Sequence, residues 1–396
     1  MDHYRHAANA GHPLGVYQLA LAYLHGDCPG IPKSIETAEK YFKRAVAAWK
    51  KVVDPSKAAA PTAPPTKTAP PTKSRRHRGT KTADKHPSAV STKEKHPSTF
   101  WLHTGAAKAE ALYYLALCND AGHGTLQNRH KATEYYRQAA KLGHGNAKFS
   151  LGMCYISGDG DGTGSPNYAL AMETFREAWE QCGHVNALFN LGVCYENGVV
   201  RGDIDPTPQQ AFEDCRRAVE IYRVAIKFGH VPALVNLAVC YSHGEGVAMD
   251  HHKALDLFRK AAGFNNADGL YYLGVCYETG RGVQKRSGIA NLEKAFECYL
   301  KAAAMDHPRA LYNLGVFYEN GHCDSKEPEK ARYKKAFDCY HKSAKMGHAG
   351  AMNNLAVCYL NGRGTARNQS TSEYYFRLAA ELGNQDAIVF ASVLQT

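Results

Sequence analysis

Ala187-Leu-Phe-Asn-Leu-Gly-Val-Cys-Tyr-Glu-Asn-Gly198 is the stretch whose reading decides the fold. It returns as Ala233–Gly244, Gly269–Gly280, Ala310–Gly321 and Ala351–Gly362, with looser copies at Gly15–Gly26, Ala111–Gly122 and Ala147–Gly158. A unit this short cannot bury its own apolar face, so its copies must stack on one another. Such a stack offers a surface to partners and argues against a single reaction centre.

Each copy is numbered here from its Leu: Leu19, Leu115, Leu151, Leu191, Leu237, Leu273, Leu314 and Leu355. A small residue lies four positions earlier, and Tyr lies four positions later in seven copies, with Asn119 the exception. Positions −4, 0 and +4 share one helical face, which predicts an amphipathic helix, helix A. The residue after the Leu is Gly in four copies, Gly152, Gly192, Gly274 and Gly315, and Ala in the others. A mid-helix Gly costs about 1 kcal/mol against Ala, so a neighbouring helix is expected too close there for a Cβ. Gly stands at +7 in all eight copies, where a left-handed C-cap ends the helix.

A second pattern follows each loop. Lys131-Ala-Thr-Glu-Tyr-Tyr-Arg-Gln-Ala-Ala-Lys-Leu-Gly143 is echoed from Lys253, Lys294 and Lys335, and its helical spacing of Ala, aromatic and Ala predicts helix B. Thr207-Pro-Gln-Gln210 predicts an N-cap, a first-turn Pro and a capping box; Ser370 with Glu373 reads as a second box. From Ala111 to Ala387 successive starts lie 36, 40, 46, 36, 41, 41 and 36 residues apart, so the base period is 36. Residues 199–217 are expected to lengthen helix B. At the N-terminus, Tyr4, Ala7, Ala8 and Gly11 fit the last turns of a helix B whose first turns would precede Met1, which favours a fragment over a short cap.

The resulting domain expectation is the end of one repeat plus a full repeat over 1–49, an insertion over 50–107, seven tandem repeats over 108–386, and a capping helix over 387–396. Residues 50–99 hold eight Pro, 12 Lys or Arg, 3 Asp or Glu, and no Leu, Ile, Phe, Tyr or Trp. That segment cannot bury enough apolar surface to fold and is expected to be disordered. Outside it, 36 basic residues face 34 acidic ones, so +9 of the formal charge of +11 belongs to one arm. The cluster Lys73-Ser-Arg-Arg-His-Arg78 suits acidic partners, or a nuclear signal, but aromatics for stacking bases are missing, so specific nucleic-acid readout is not expected.

The combination Ala-x3-Leu-Gly-x2-Tyr-x2-Gly-x-Gly, then Lys-Ala-x3-aromatic-x2-Ala-Ala-x2-Gly, resembles the Sel-1-like repeat family, a branch of the tetratricopeptide-like superfamily. Gly244-Glu-Gly246, Gly280-Arg-Gly282 and Gly362-Arg-Gly364 carry the loop of that pattern, whereas the loops after Gly198 and Gly321 depart from it. The resemblance implies an all-α, right-handed α–α superhelix (solenoid) of about eight helix-turn-helix repeats. It also implies that helix A lines the concave surface of a non-catalytic scaffold or adaptor for other proteins or peptide segments.

Within helix A, position −2 is aromatic at Phe189, Tyr271 and Tyr312, and position −1 is Asn at Asn190, Asn236, Asn313 and Asn354. Position +5 is acidic at Glu196, Glu278 and Glu319. As a partner-binding groove, the rings give contact area, the amides bond a peptide backbone, and the carboxylates suit a basic ligand. The competing reading has the rings filling gaps between helices and each Asn satisfying a loop carbonyl. His12, His144, His184, His230, His307 and His348 recur after helix B, but successive rungs cannot bring four ligands to one ion, so no metal is assigned. Asp159-Gly-Asp-Gly opens like a calcium loop, yet the twelfth position is Leu170 rather than Glu, so an insertion loop is the better account.

Twelve Cys are too few for a disulfide scaffold, and six of them share the repeat position +3, ~8–10 Å apart along a stack, too far to pair. They read as buried thiols of a reducing, intracellular, most simply cytoplasmic, compartment. No apolar signal region and no run of about 18 apolar residues is visible. No Walker loop, His-Glu-x-x-His, Gly-x-Ser-x-Gly or Cys-x-x-Cys occurs, so neither catalysis nor a cofactor is expected. The alternatives are a Cys-rich repeat hydrolase of the β-lactamase-like type, whose paired Cys and secretion signal are absent here, and a regulatory fragment of a larger enzyme.

Overall fold

The computed structural model describes residues 2–26, 31–54, 105–160, 162–199, 207–283, 291–322 and 327–393. Every regular element among them is a helix, and the helices alternate A and B as the repeat pattern requires. The chain divides into two compact units, residues 1–184 and 185–396. The first unit holds α1 (Asp2–Asn9), α2 (Pro13–His25), α3 (Ile35–Val53), α4 (Gly105–Ala121), α5 (Arg129–Lys141), α6 (Gly145–Ser157) and α7 (Tyr168–Cys182). The second holds α8 (Val185–Glu196), α9 (Pro208–Lys227), α10 (Val231–His243), α11 (His251–Gly263), α12 (Ala267–Thr279) and α13 (Leu292–Ala303). It continues with α14 (Pro308–Asn320), α15 (Glu329–Lys345), α16 (Ala349–Asn361), α17 (Gln369–Glu381) and α18 (Gln385–Val393).

Within each unit a helix A packs on its own helix B and that helix B packs on the next helix A. The outcome is the expected solenoid of helix-turn-helix repeats. The small residues at −4 disappear into these seams: Ala147, Ala187, Ala233, Ala310 and Ala351 are fully buried. The helix-A glycines have a definite neighbour. A Cβ on Gly192, Gly274 or Gly315 would lie 2.5–2.7 Å from the ring of Tyr222, Tyr299 or Tyr340 on helix B. Gly152 meets Phe175 in the same way.

Capping follows the sequence in one case and departs from it in another. Thr207 and Gln210 form the expected capping box of α9, and α9 is the longest of the described helices, with 20 residues. The box read at Ser370 and Glu373 is not formed. Asn368 caps α17 by accepting from the Thr371 amide, and Glu373 accepts instead from Gln369. The Asn two residues upstream reaches the open amide first, which leaves Ser370 inside the helix. The expected insertion boundary at residue 50 also shifts, because α3 continues to Val53, held by Trp49 and Val53 against the core. The basic arm, the Lys73–Arg78 cluster and the loop parts 200–206 and 323–326 lie outside the described residues.

Candidate functional site

All ten residues expected to line the groove lie in the second unit, and all ten are half-buried. Their side chains are not independent. Tyr222 on α9 donates its hydroxyl to Glu196 Oε2 at 2.5 Å, and Asn236 on α10 donates to the same oxygen at 3.3 Å and to the Tyr222 hydroxyl at 3.2 Å. The pattern repeats two and three hairpins along. Tyr299 donates to Glu278 at 2.5 Å and bonds Asn313, while Tyr340 donates to Glu319 at 2.8 Å and bonds Asn354. Each rung thus joins a helix A, its helix B and the next helix A through Glu, Tyr and Asn.

The physical need is plain. Tyr222, Tyr299 and Tyr340 are among the largest fully buried side chains, and a buried hydroxyl without a partner costs about 1–3 kcal/mol. The acid and the Asn meet that need. Burial, and then the adjacent carboxylate, hold all three hydroxyls well above the ordinary tyrosine range. They therefore stay protonated and donate.

Glu196, Glu278 and Glu319 are each engaged by a buried hydroxyl, which does not cancel a carboxylate's charge, and Glu319 is also paired with Arg363 at 3.2 Å. Asn236 bonds both the Tyr222 hydroxyl and the Glu196 carboxylate, while Asn313 and Asn354 face the Tyr299 and Tyr340 hydroxyls. Asn190 is different: it donates to the Asn186 carbonyl of its own helix at 2.9 Å.

A pairing rule that reading each position by itself missed was visible within the chain. Helix-B Tyr136, Tyr222, Tyr299 and Tyr340 go with an acid at +5 of the preceding helix A: Asp120, Glu196, Glu278 and Glu319. Helix-B Phe42, Phe175, Phe258 and Phe376 go with Leu24, Ile156, Ser242 and Leu360. The Phe hairpins close differently, for instance by stacking Phe258 on Tyr272 at 5.0 Å and Phe376 on Phe390 at 3.9 Å.

The −2 aromatics take a second structural role. Phe189, Tyr271 and Tyr312 lie against His230, His307 and His348, with ring centroids 4.4–4.8 Å apart. Those imidazoles are also N-caps, since Nδ1 of each accepts from the amide three residues on, at 3.0–3.3 Å. A ring nitrogen that accepts is unprotonated, and burial lowers the His230 and His348 pKa values, which suits that role. Four members of the His ladder, His144, His230, His307 and His348, are therefore helix caps, whereas the His12 side chain makes no cap bond to α2.

The family model for the Sel1 repeat matches residues 13–48, 109–144, 145–178, 185–227, 231–262, 267–307, 308–348 and 349–384. The chain belongs to the Sel1 repeat family. A Sel1 repeat protein from Oxalobacter formigenes aligns over 100% of this chain and 90% of its own, at 19% identity and a TM-score of 0.52, which supports the shared fold. The protective antigen c5321 of uropathogenic Escherichia coli, described as displaying an SLR fold, aligns over 99% of this chain and 73% of its own, at 22% identity and a TM-score of 0.44. Immunity protein PA5088 from Pseudomonas aeruginosa covers 52% of this chain with 68% of its own, at 27% identity and a TM-score of 0.37. No curated protein sequence matches. None of the ten described cysteines of this Sel1 repeat protein is in a disulfide, and no described helix is long and apolar enough to cross a membrane.

Proposed function

We propose that the chain is a non-catalytic scaffold that takes an extended, uncharged stretch of a partner protein along the helix-A face of its second unit. One observation carries the reading: a row of half-buried aromatics and amides recurs on α8, α10, α12, α14 and α16, with its side chains held by neighbours. Preorganised side chains lose little freedom on binding, which is how such a row converts area into affinity. Phe189, Tyr271 and Tyr312 keep one part of each ring outward, and the amides of Asn190, Asn236, Asn313 and Asn354 are of the type that pairs with peptide groups. Amides and ring edges recognise neutral peptide groups, and Arg363 over Glu319 disfavours a basic segment there.

The test is a displayed random-peptide library selected on the full chain. Selected peptides should be extended and near neutral, and Asn190→Ala combined with Tyr312→Ala should weaken them about tenfold or more, the range of contact residues in an interface. Equal affinity for wild type and variant, with helix content unchanged, rejects the proposal. A parallel selection on a chain lacking residues 55–104 separates peptides held by the solenoid from acidic ones held by the basic arm.

A further inference from the structure

The three rungs of the second unit look alike but differ at one seat. Eight residues after the repeat Leu, the loop that follows the third helix of the rung carries Arg363 over Glu319, where it forms an ion pair at 3.2 Å. The same seat over Glu196 is Glu245. A rung that is neutralised in one place therefore carries two carboxylates in the other. Beneath them lies Cys240, wholly buried, with Sγ 3.8 Å from Glu196 Oε1. Glu196, Cys240 and Glu245 each bring one ligand atom within 4.8 Å of the other two.

The loop that carries Glu245 is tightly placed. Gly246 has φ +67° and lies so close to the α9 backbone at Cys215 and Arg216 that a Cβ would overlap it. Glu245 is thus delivered to the seam by backbone packing rather than by a long flexible approach. Cys215 stands beside the set, its Sγ 3.9 Å from the Glu196 carbonyl.

We propose that Glu196, Cys240 and Glu245 form a divalent metal site of zinc type, with water completing the shell, and that the ion clamps α8, α10 and the loop after α10 together. One thiolate and two carboxylates are a borderline-soft donor set that suits zinc better than calcium or magnesium. Tetrahedral zinc with bonds of ~2.0–2.3 Å wants its ligands roughly 3.3–3.8 Å apart, so atoms now within 4.8 Å of one another need to draw in by up to about 1.5 Å. The local electrostatics agree. Burial and Glu245 raise the pKa of the Glu196 carboxyl, and hydrogen bonds from Tyr222, Cys240 and Asn236 oppose them. Burial, then Glu196 and Glu245, push the Cys240 thiol up as well. A bound dication reverses that balance: the thiol proton goes to solvent, and the ion offsets two of the three negative charges of one thiolate and two carboxylates. The proposal concerns a different set of residues from the His ladder.

Cobalt(II) serves as the probe, titrated into the reduced, metal-stripped full chain. Wild type should develop a near-ultraviolet thiolate-to-cobalt band that zinc displaces, and zinc should raise its melting temperature. Cys240→Ser and Glu245→Gln should each weaken binding by about tenfold or more. Glu245→Arg, which copies the Arg363 seat, should abolish the band and the zinc shift. Cys358→Ser, which changes the matching thiol of the neutralised rung, should leave both intact, and circular dichroism should show wild-type helix content throughout. The proposal is overturned if wild type gives no band, if Cys240→Ser or Glu245→Arg keeps the full band, or if Cys358→Ser removes it.

Discussion

Replacing Tyr299 with Phe is the sharpest probe of the rungs. The change removes the hydroxyl that donates to Glu278 at 2.5 Å and leaves the ring that fills the space beside Gly274. A hydrogen bond to a charged group contributes about 1.5–3 kcal/mol. Glu278 is half-buried and regains some water, so the lower end, about 1.5 kcal/mol, applies to Tyr299→Phe. Glu278→Leu alone takes the carboxylate acceptor from the buried hydroxyl, leaving it only Asn313, and costs about 1–3 kcal/mol. The double variant loses both partners and reproduces a pairing the chain already uses twice, Phe42 with Leu24 and Phe376 with Leu360. It should therefore lie well above the sum of the single losses, with a coupling of about 1–2 kcal/mol. Urea unfolding and amide hydrogen exchange across α12 and α13 measure all four corners of the cycle, and at ~2–4 °C per kcal/mol Tyr299→Phe should melt roughly 3–6 °C lower. Single losses that add to within about 0.5 kcal/mol in the double variant would refute the idea that the rung is a unit.

The His caps predict a pH effect. Burial lowers the folded pKa values of His230 and His348 below the unfolded value of about 6.5, so the stabilisation they allow is complete above that pH and drains as pH falls through the folded values. The melting temperature should drop between pH 7.5 and 5, and His230→Asn should blunt the drop, since Asn266 already caps α12 with its side-chain oxygen. Gly315→Ala, which in an open helix would stabilise by about 1 kcal/mol, should instead cost about 1–3 kcal/mol in thermal or urea unfolding, because the new Cβ would sit 2.5 Å from the Tyr340 ring. Asn236→Ala should lower stability by about 1 kcal/mol in the same measurements, whereas Asn190→Ala, whose amide bonds only its own helix, should change it by less than about 0.5 kcal/mol.

The repeat period and the helix-A face were legible because each is a spacing within one segment. The same holds for the Gly C-caps, such as Gly244 at φ +78°, and for the Thr207 box. What the sequence hid was contact between segments. Glu196, Tyr222 and Asn236 are 26 and 14 residues apart, and no single-helix pattern says that they meet. Read position by position, Asn and Glu are merely polar residues on an inner face. Compared across copies, the partnership of helix-B Tyr with an acid at +5 exposes it, because a buried hydroxyl demands an acceptor and a Phe does not. The Ser370 box failed for a related reason: two candidate caps lay within reach of one helix start, and only geometry chose Asn368.

The rungs also impose a grammar on the order of hairpins. A hairpin with Tyr340 and Glu319 leaves a polar socket that Asn354 fills, while one with Phe258 leaves a greasy socket that Tyr272 fills. Gene duplication or domain shuffling that set Tyr272 after a Tyr-bearing hairpin would leave a buried hydroxyl facing a ring, whereas an Asn after a Phe-bearing hairpin turns to its own helix, as Asn190 does after Phe175. Such arrays evolve most easily by copying whole adjacent pairs, so ancestry should be written in matched junctions rather than in overall likeness between single copies.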